Sequence, residues 1–207
     1  MTRVTQAHID ARTQDILGAA KRLFARKGVD GTTMQEIAAD AGLSAGAVYR
    51  YYESKDDLLR AVFEDCSEQH RALFEEKAAV SPSPMEALTD IGRSAWSQLK
   101  GDGFRDEVIL ELETALAAAR HPDELGPAHR ETLDHVVEML GRLIRDAQAA
   151  GQIEAGVDGQ ALALTLLACY LGSGILALDG QDTDVLVESL LHMVNKLAPV
   201  AGRNGGR

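Results

Sequence analysis

Apolar residues recur every three or four positions along most of the 207-residue chain, which is the spacing of one face of an α-helix. Glycines, prolines and capping residues interrupt this pattern and divide it into segments. The segments predict nine helices, at Ala11 to Lys27, Thr33 to Ala41, Ser44 to Tyr52, Ser54 to about Val80, Met85 to Lys100, Phe104 to Arg120, Pro127 to Ala150, Gly159 to Leu178 and Thr183 to Leu197. The predicted fold class is therefore all-α.

Polar residues at three of the predicted helix starts indicate side-chain capping. Thr33 with Glu36, and Ser54 with Asp57, have the spacing of a capping box, and Ser44 is a suitable N-cap for the short third helix. The amides at such helix starts are also suited to meet an anion. Thr33 and Ser44 are thus candidates for phosphate contact, with capping alone as the alternative.

Composition is that of an ordinary globular protein, with 45% hydrophobic and 26% charged residues. The two cysteines, Cys66 and Cys169, show no paired spacing, so we predict two buried free thiols in a reducing compartment rather than a disulfide. The amino terminus lacks the apolar stretch of a secretory signal. These features predict a cytoplasmic protein.

One segment, Gly159 to Leu178, carries no charge and is long enough to cross a bilayer. Polar and small residues dilute it, and its flanks at Asp158 and Asp179 are acidic rather than basic, which argues against a membrane span. We predict instead a helix that is buried on nearly all sides within a bundle, and no membrane partner.

Charge is distributed unevenly along the chain, whose formal net charge is −11. Residues up to Lys55 contain eight Lys and Arg against six Asp and Glu, a balance of +2, and the remainder has a balance of −13. An acidic protein as a whole is a poor ligand for phosphates. A small, slightly basic module attached to an acidic body is nevertheless the pattern expected of a nucleic-acid-binding protein.

The second and third predicted helices have the spacing of a helix-turn-helix. That motif needs a small residue where its helices touch, a glycine with positive φ in the turn, and an apolar anchor on the second helix. Ala38, Gly42 and Val48 meet these three needs in order. Any tight helical hairpin can show the same skeleton, so the residues that follow it decide the interpretation.

The run Val48-Tyr49-Arg50-Tyr51-Tyr52, with Glu53 to Leu58 after it, resembles the end of the DNA-binding domain in the tetracycline-repressor (TetR/AcrR) family. The similarity covers about the first sixty residues. It implies a nine-helix TetR-like architecture, with a helix-turn-helix domain at 1–55 and a helical ligand-binding and dimerisation domain at 56–202. The glycine-rich residues 203–207 predict a disordered tail. The resemblance also implies a homodimer that binds a palindromic double-stranded DNA operator.

Side chains of the third helix are the main candidates for DNA contact. Tyr49 and Tyr51 cannot both face the core beside Val48 and Tyr52, so their hydroxyls are available to phosphates. Arg50 is suited to a guanine edge, with phosphate contact as the alternative. The resemblance makes Tyr52 a core aromatic and adds Lys55 as a phosphate contact. The predicted DNA-binding residues are Thr33, Ser44, Ala45, Gly46, Ala47, Tyr49, Arg50, Tyr51 and Lys55.

The resemblance implies that the acidic body encloses a small-molecule effector of unknown identity and that its last two helices pair with those of a second copy. Candidate effector-binding residues are Phe63, His70, Phe74, Trp96, Glu111, Thr114 and Met139, for which ordinary core packing is the alternative. Candidate dimer residues are Leu166, Leu167, Tyr170, Gly174, Leu178, Leu186, Leu190, Met193, Val194 and Leu197.

The predicted function is a dimeric transcriptional regulator, a repressor released from its operator by a ligand and associated with the nucleoid when bound. One alternative is a ligand-independent DNA-binding protein whose body only dimerises. The other is a helical-bundle enzyme, for which no catalytic motif is found. Glu131, His135 and Glu138 share a helical face, but a solvated ion pair explains them better than a metal, so no cofactor is predicted.

Overall fold

The structure is a computed structural model that describes residues 6–101 and 103–198, and these residues form nine α-helices and no β-strand. The helices are α1 (Gln6–Lys27), α2 (Met34–Asp40), α3 (Ala45–Val48), α4 (Lys55–Val80), α5 (Pro84–Gln98), α6 (Phe104–Arg120), α7 (Gly126–Ala149), α8 (Gly159–Leu178) and α9 (Asp184–Asn195). The predicted all-α class is confirmed. The predicted tail at 203–207 lies outside the described residues.

The helices pack into two compact units. Unit 1 comprises Met1–Glu68 and Arg105–Leu133, and unit 2 comprises Gln69–Phe104 and Asp134–Arg207. Unit 1 is therefore larger than the predicted DNA-binding domain of residues 1–55, because part of α4, nearly all of α6 and the start of α7 pack with the first three helices.

Unit 1 has a single hydrophobic core beneath α1, α2 and α3. Phe24, Ile37, Val48 and Leu58, from four different helices, are fully buried in it. Burying a side chain of this size stabilises a fold by about 2 kcal/mol. The small α3 is therefore held in place mainly by one anchor, Val48.

The predicted capping box at the start of α2 is present. The Thr33 amide donates to Glu36 Oε2 at 3.0 Å, and the Glu36 amide donates to Thr33 Oγ1 at 3.3 Å. Lys27 Nζ lies 2.5 Å from Glu36 Oε1, and this bond, with those from Thr33, lowers the pKa of Glu36 to about 2. The carboxylate at this helix start thus stays ionised across the ordinary pH range.

Unit 2 has a separate core in which Phe74, Ile91, Met139 and Ile144 pack with Ala163 of α8. Helix α8 itself is poorly covered, since Leu164 is 52% exposed and Ile175 is 50% exposed. The prediction that this helix is buried on nearly all sides is therefore wrong for the single chain. Within the described residues, α8 is the one helix with the length and hydropathy of a membrane span, and 17% of its apolar window is buried.

Candidate nucleic-acid interface

Helices α2 and α3 form the predicted helix-turn-helix in unit 1. Ala38 and Val48 are buried where the two helices meet, and the Leu43 amide donates to the Ala38 carbonyl at 2.8 Å. Gly42 in the turn has a φ of +67°, a conformation that favours glycine. Each of the three skeleton residues therefore has the position that its chemistry predicts.

The segment from Val48 to Tyr52 separates buried from exposed side chains. Val48 is completely buried and Tyr52 is 8% exposed, whereas Tyr49 is 45% exposed and Arg50 is exposed. Burial raises the pKa of Tyr52 to about 12, helped by nearby acidic side chains. Tyr51 is half-buried against the core. The predicted assignment of Tyr52 to the core and of Tyr49 to the surface is confirmed by these positions.

Arg50 lies in the turn that directly follows α3 and is exposed to solvent. Among the described residues it makes no hydrogen bond or ion pair with another side chain, so its guanidinium is available for an external partner. Helix α3 ends at Val48, and residues 49–51 continue as a turn rather than as the predicted longer helix. The Tyr52 amide still donates to the Val48 carbonyl at 3.1 Å, which keeps the helical spacing.

The front of α3 presents backbone with little side chain. Ala45 and Ala47 are half-buried and Gly46 is exposed. Apart from its sequence neighbours and the backbone of its own helix, no described residue would lie within 4 Å of a Cβ atom built at Gly46. Packing among the described residues therefore does not require glycine at this position, which leaves close approach of an external surface as a reason for it.

Both predicted N-caps perform their capping role. Ser44 is exposed, and its Oγ accepts the Ala47 amide at 3.2 Å. Thr33 Oγ1 donates to Glu36 Oε2 at 3.0 Å, beside a carboxylate that would repel a phosphate. The surroundings of Ser44 contain no such acid in the first turn of α3. Phosphate contact therefore remains a reasonable proposal for Ser44 and a weaker one for Thr33.

Lys55 has a structural role that the sequence did not indicate. Its Nζ donates to the carbonyl oxygens of Val29 at 2.7 Å and of Thr32 at 3.2 Å. The ammonium thus holds the turn between α1 and α2 with two of its three N–H groups. The predicted phosphate contact would have only the third.

The seven candidate effector-binding residues are divided between the two units. Phe63, Glu111 and Thr114 belong to unit 1, and the other four belong to unit 2. Phe63 lies in the unit 1 core with its ring edge-on to His129, at a centroid distance of 5.6 Å, and Thr114 Oγ1 donates to the Glu111 carbonyl of its own helix at 2.9 Å. These observations favour core packing for Phe63 and Thr114.

In unit 2, Trp96 is one of two candidates, with His70, that have a buried ring nitrogen without a hydrogen-bond partner among the described residues. It is buried, its ring meets Tyr170 edge-on with centroids 5.9 Å apart, and its Nε1 has no hydrogen-bond partner among the described residues. Phe74 and Met139 lie in the core of the same unit. A cleft of about 200 Å³ in unit 2 is lined by other residues, namely Ala78, Ser81, Pro82, Ser83, Pro84, Ala87, Leu143 and Asp146.

The ten predicted dimer residues on α8, α9 and the turn after α9 differ in their exposure. Gly174, Leu190 and Val194 are buried within unit 2 and are therefore not available to a partner. Leu186 and Met193 are exposed as an interface requires, and the other five, which are Leu166, Leu167, Tyr170, Leu178 and Leu197, are half-buried. The exposed apolar residues that the prediction omitted are Leu164, Ile175, Leu176 and Val185.

Other site predictions have mixed outcomes. Cys66 is half-buried, and burial raises the pKa of its thiol, but Cys169 is exposed, contrary to the prediction of two buried thiols. The part of the chain that the structure describes holds no group of three or more metal-ligating side chains. Glu113, which is not among the predicted site residues, accepts the Val29 amide at 3.2 Å. Its partner is 84 residues away, so no local pattern signals this bond.

Known regulators are similar to this sequence. Residues 16–62 match the family described as bacterial regulatory proteins, tetR family. The chain is 30% identical over 180 residues to an HTH-type transcriptional repressor of Mycobacterium tuberculosis, which covers 87% of this chain and 85% of the repressor. It is 39% identical over 175 residues to the HTH-type transcriptional regulator SrpR of Pseudomonas putida, covering 77% and 72%.

The match to a further relative, the transcriptional regulator YfiR of Bacillus subtilis, has 32% identity over 99 residues. It spans 43% of this chain and about half, 48%, of that regulator. The similarity is thus shared over most of the chain with some relatives and over less than half of it with others.

Solved structures show the same fold. A TetR-family regulator from Rhodococcus sp. superposes with a TM-score of 0.77 over 92% of this chain and 100% of its own, at 24% identity. The transcriptional regulator FadR from Bacillus subtilis, solved in complex with stearoyl-CoA, superposes with a TM-score of 0.73 over 87% and 96%, at 21% identity. The sequence relatives that span most of the chain, together with the helix-turn-helix geometry, show that it belongs to the TetR family of DNA-binding, non-enzymatic transcriptional regulators.

Proposed function

We propose that the protein is a homodimeric repressor that binds a palindromic operator and is released from it by a small-molecule effector. The observation that carries the DNA-binding part is the exposure of Tyr49 and Arg50 beside the buried anchors Val48 and Tyr52. This arrangement presents polar side chains from a rigidly held turn, as major-groove recognition requires.

Exposed apolar side chains on α8 and α9 support the dimer. Leu164 and Ile175 on α8 and Met193 on α9 are each at least half exposed, which is unusual for large apolar side chains on neighbouring elements of a soluble protein. A two-fold dimer carries two copies of α3. Major grooves on one face of DNA recur about every 34 Å, so the two copies of α3 can enter successive grooves. Because the two copies are related by two-fold symmetry, the predicted binding site is palindromic.

For the effector we propose a small organic molecule held in unit 2. The buried Trp96 Nε1–H would gain a hydrogen bond from an acceptor on such a ligand, and an unpaired buried donor costs about 1–3 kcal/mol. The structural neighbour FadR from Bacillus subtilis was solved in complex with stearoyl-CoA, which makes acyl-CoA esters the first class of ligand to test. Effector binding would shift the equilibrium toward a form of the dimer whose two helix-turn-helix motifs no longer fit the two half-sites of the operator.

Arg50→Ala tests base recognition. If the guanidinium reads a guanine edge, the variant loses about 1–3 kcal/mol of affinity for the operator and little for unrelated DNA.

Tyr49→Phe, which removes a hydroxyl available to a phosphate, should weaken binding to the operator and to unrelated DNA by about 1 kcal/mol each. Fluorescence anisotropy on fragments found by genome-wide mapping of bound sites measures both effects.

Equal losses on all sequences for Arg50→Ala would show that this arginine contacts only phosphate. A wild-type protein without salt-sensitive affinity for any double-stranded fragment, its own promoter region included, would overturn the proposed function.

Gly46→Ala separates folding from binding. The added methyl group is not crowded by any described residue, and alanine favours a helix over glycine by about 1 kcal/mol, so thermal stability should be unchanged or higher. Affinity for the operator should fall about tenfold, because the methyl group occupies the surface that approaches DNA. Gly156→Ala is the matched control, since a Cβ there also meets nothing within 4 Å and the residue lies in unit 2. Equal operator affinities for the two variants would contradict the assigned orientation of α3.

The alternative of a ligand-independent DNA-binding protein makes a different prediction. Titration of acyl-CoA esters and other small molecules into the operator complex should release DNA if the proposal is right. The alternative predicts no release by any compound.

A further inference from the structure

The turn between α1 and α2, residues 28–33, is held by charged side chains from two other helices of unit 1. From α6, Glu113 Oε2 accepts the Val29 amide at 3.2 Å. From α4, Lys55 Nζ donates to the Val29 carbonyl at 2.7 Å and to the Thr32 carbonyl at 3.2 Å. Both backbone polar groups of Val29 are therefore bonded to side chains that lie far away in sequence.

The turn has few ways to replace the bond to Glu113. Val29 is buried, so its amide would find little water if the carboxylate were removed. The φ of Gly28 is +76°, and a Cβ atom there would lie 2.8 Å from Glu113 Oε2, so the carboxylate occupies the space that the glycine leaves. Arg120, also on α6, adds an ion pair to Asp30 of the same turn at 2.9 Å.

The turn leads directly into the helix-turn-helix. Thr32 Oγ1 donates to the Gly28 carbonyl at 2.8 Å, which ties the two ends of the turn together. The next residue, Thr33, is the N-cap of α2. Any displacement of α6 that breaks the Glu113 bond therefore acts on the position at which α2 begins.

We propose that Glu113 is a positioning residue that couples α6 to the helix-turn-helix and favours the arrangement that binds DNA. The coupling passes from the Glu113 carboxylate through the Val29 amide to the start of α2. This inference rests on the proposed function, since DNA affinity is the quantity that the coupling changes.

Glu113→Ala and Glu113→Gln in the full-length protein test this coupling. Glu107→Ala and Glu107→Gln are the matched controls, because Glu107 is an exposed glutamate on the same helix. Three quantities are measured: the hydrogen-exchange rate of the Val29 amide, the thermal midpoint, and the affinity of the folded protein for the operator fragment selected by the wild type.

Glu113→Ala should accelerate exchange at Val29 and lower operator affinity, each about tenfold, as expected for loss of a hydrogen bond to a charged group. Glu113→Gln should recover part of the exchange protection at Val29 and part of the operator affinity, because its amide oxygen still accepts a hydrogen bond. This variant also tests the coupling if the alanine variant does not fold. The Glu107 variants should match the wild type in both quantities.

A merely structural role would lower the thermal midpoint and leave the operator affinity of the folded protein unchanged. Unchanged affinity in both Glu113 variants, measured beside a wild type that binds DNA, would overturn this inference alone. A wild type that binds no DNA would overturn the proposed function and the inference with it.

Discussion

Replacing Ile175 by glutamate is expected to convert the protein to monomers and to lower its operator affinity at least a hundredfold. Ile175 is 50% exposed on α8, among the apolar side chains proposed to pair two copies. A charged group enclosed in such an interface costs several kcal/mol, and two-fold symmetry introduces it twice. A monomer also has a single helix-turn-helix motif, so it loses the avidity of two linked motifs, which raises affinity by a factor of about 10²–10⁴. Sedimentation velocity measures the assembly, and fluorescence anisotropy measures the affinity.

Val80→Glu is the control for this experiment. Val80 ends α4 in the same unit, is 70% exposed and lies on neither α8 nor α9. The same chemical change there should leave both the mass and the DNA affinity as in the wild type. If Ile175→Glu stays dimeric, α8 does not form the interface, and if its monomers bind the whole operator at wild-type affinity, recognition does not depend on paired helix-turn-helix motifs.

Replacing Glu111 by glutamine is expected to raise the free energy of unfolding at pH 8 by up to about 3 kcal/mol and to leave it unchanged at pH 4. Burial in unit 1 raises the pKa of Glu111 to about 7, from an ordinary value of 4.5. Between pH 4.5 and pH 7 the Glu111 carboxyl group loses its proton in the unfolded chain but keeps it in the folded chain. Wild-type stability therefore falls as pH rises from 4.5 to 7, and the full loss is present above pH 7.

Urea unfolding at intervals between pH 4 and pH 8 measures this difference. Glutamine has nearly the same shape as glutamate but does not ionise, so its curve should lack the fall. Glu107→Gln, an exposed replacement on the same helix, should follow the wild type at every pH. Parallel curves for wild type and Glu111→Gln would show that Glu111 is solvated in the folded protein.

Local signals account for the parts of the fold that were predicted well. Helices α6 and α8 have the predicted bounds because clear breaks precede and follow them, such as Gly103 and Gly180, both with positive φ. Helix α3 was predicted to be four residues too long, ending at Tyr52 rather than Val48. The turn at residues 49–51 keeps helical spacing, and periodicity alone does not distinguish such a turn from a helix.

Within the interface, periodicity and the family resemblance together separated the buried Val48 and Tyr52 from the exposed Tyr49, because one face of a short helix must meet the core. It gave no indication of the bonds made by Lys55 and Glu113, whose partners are brought near only by tertiary packing. On α8, apolar residues surround the helix, so the pattern did not show which face turns inward.

The short α3 has an evolutionary consequence. Between Ser44 and Tyr52 the side chains of Val48 and Tyr52 are buried, whereas Gly46, Tyr49 and Arg50 are exposed, so these three positions can mutate at little cost to the stability of unit 1. Under the proposed function, a single substitution at one of them would alter which base pairs are preferred without a compensating change in the core. New operators would then be recognised after single mutational steps, while the core beneath is inherited intact.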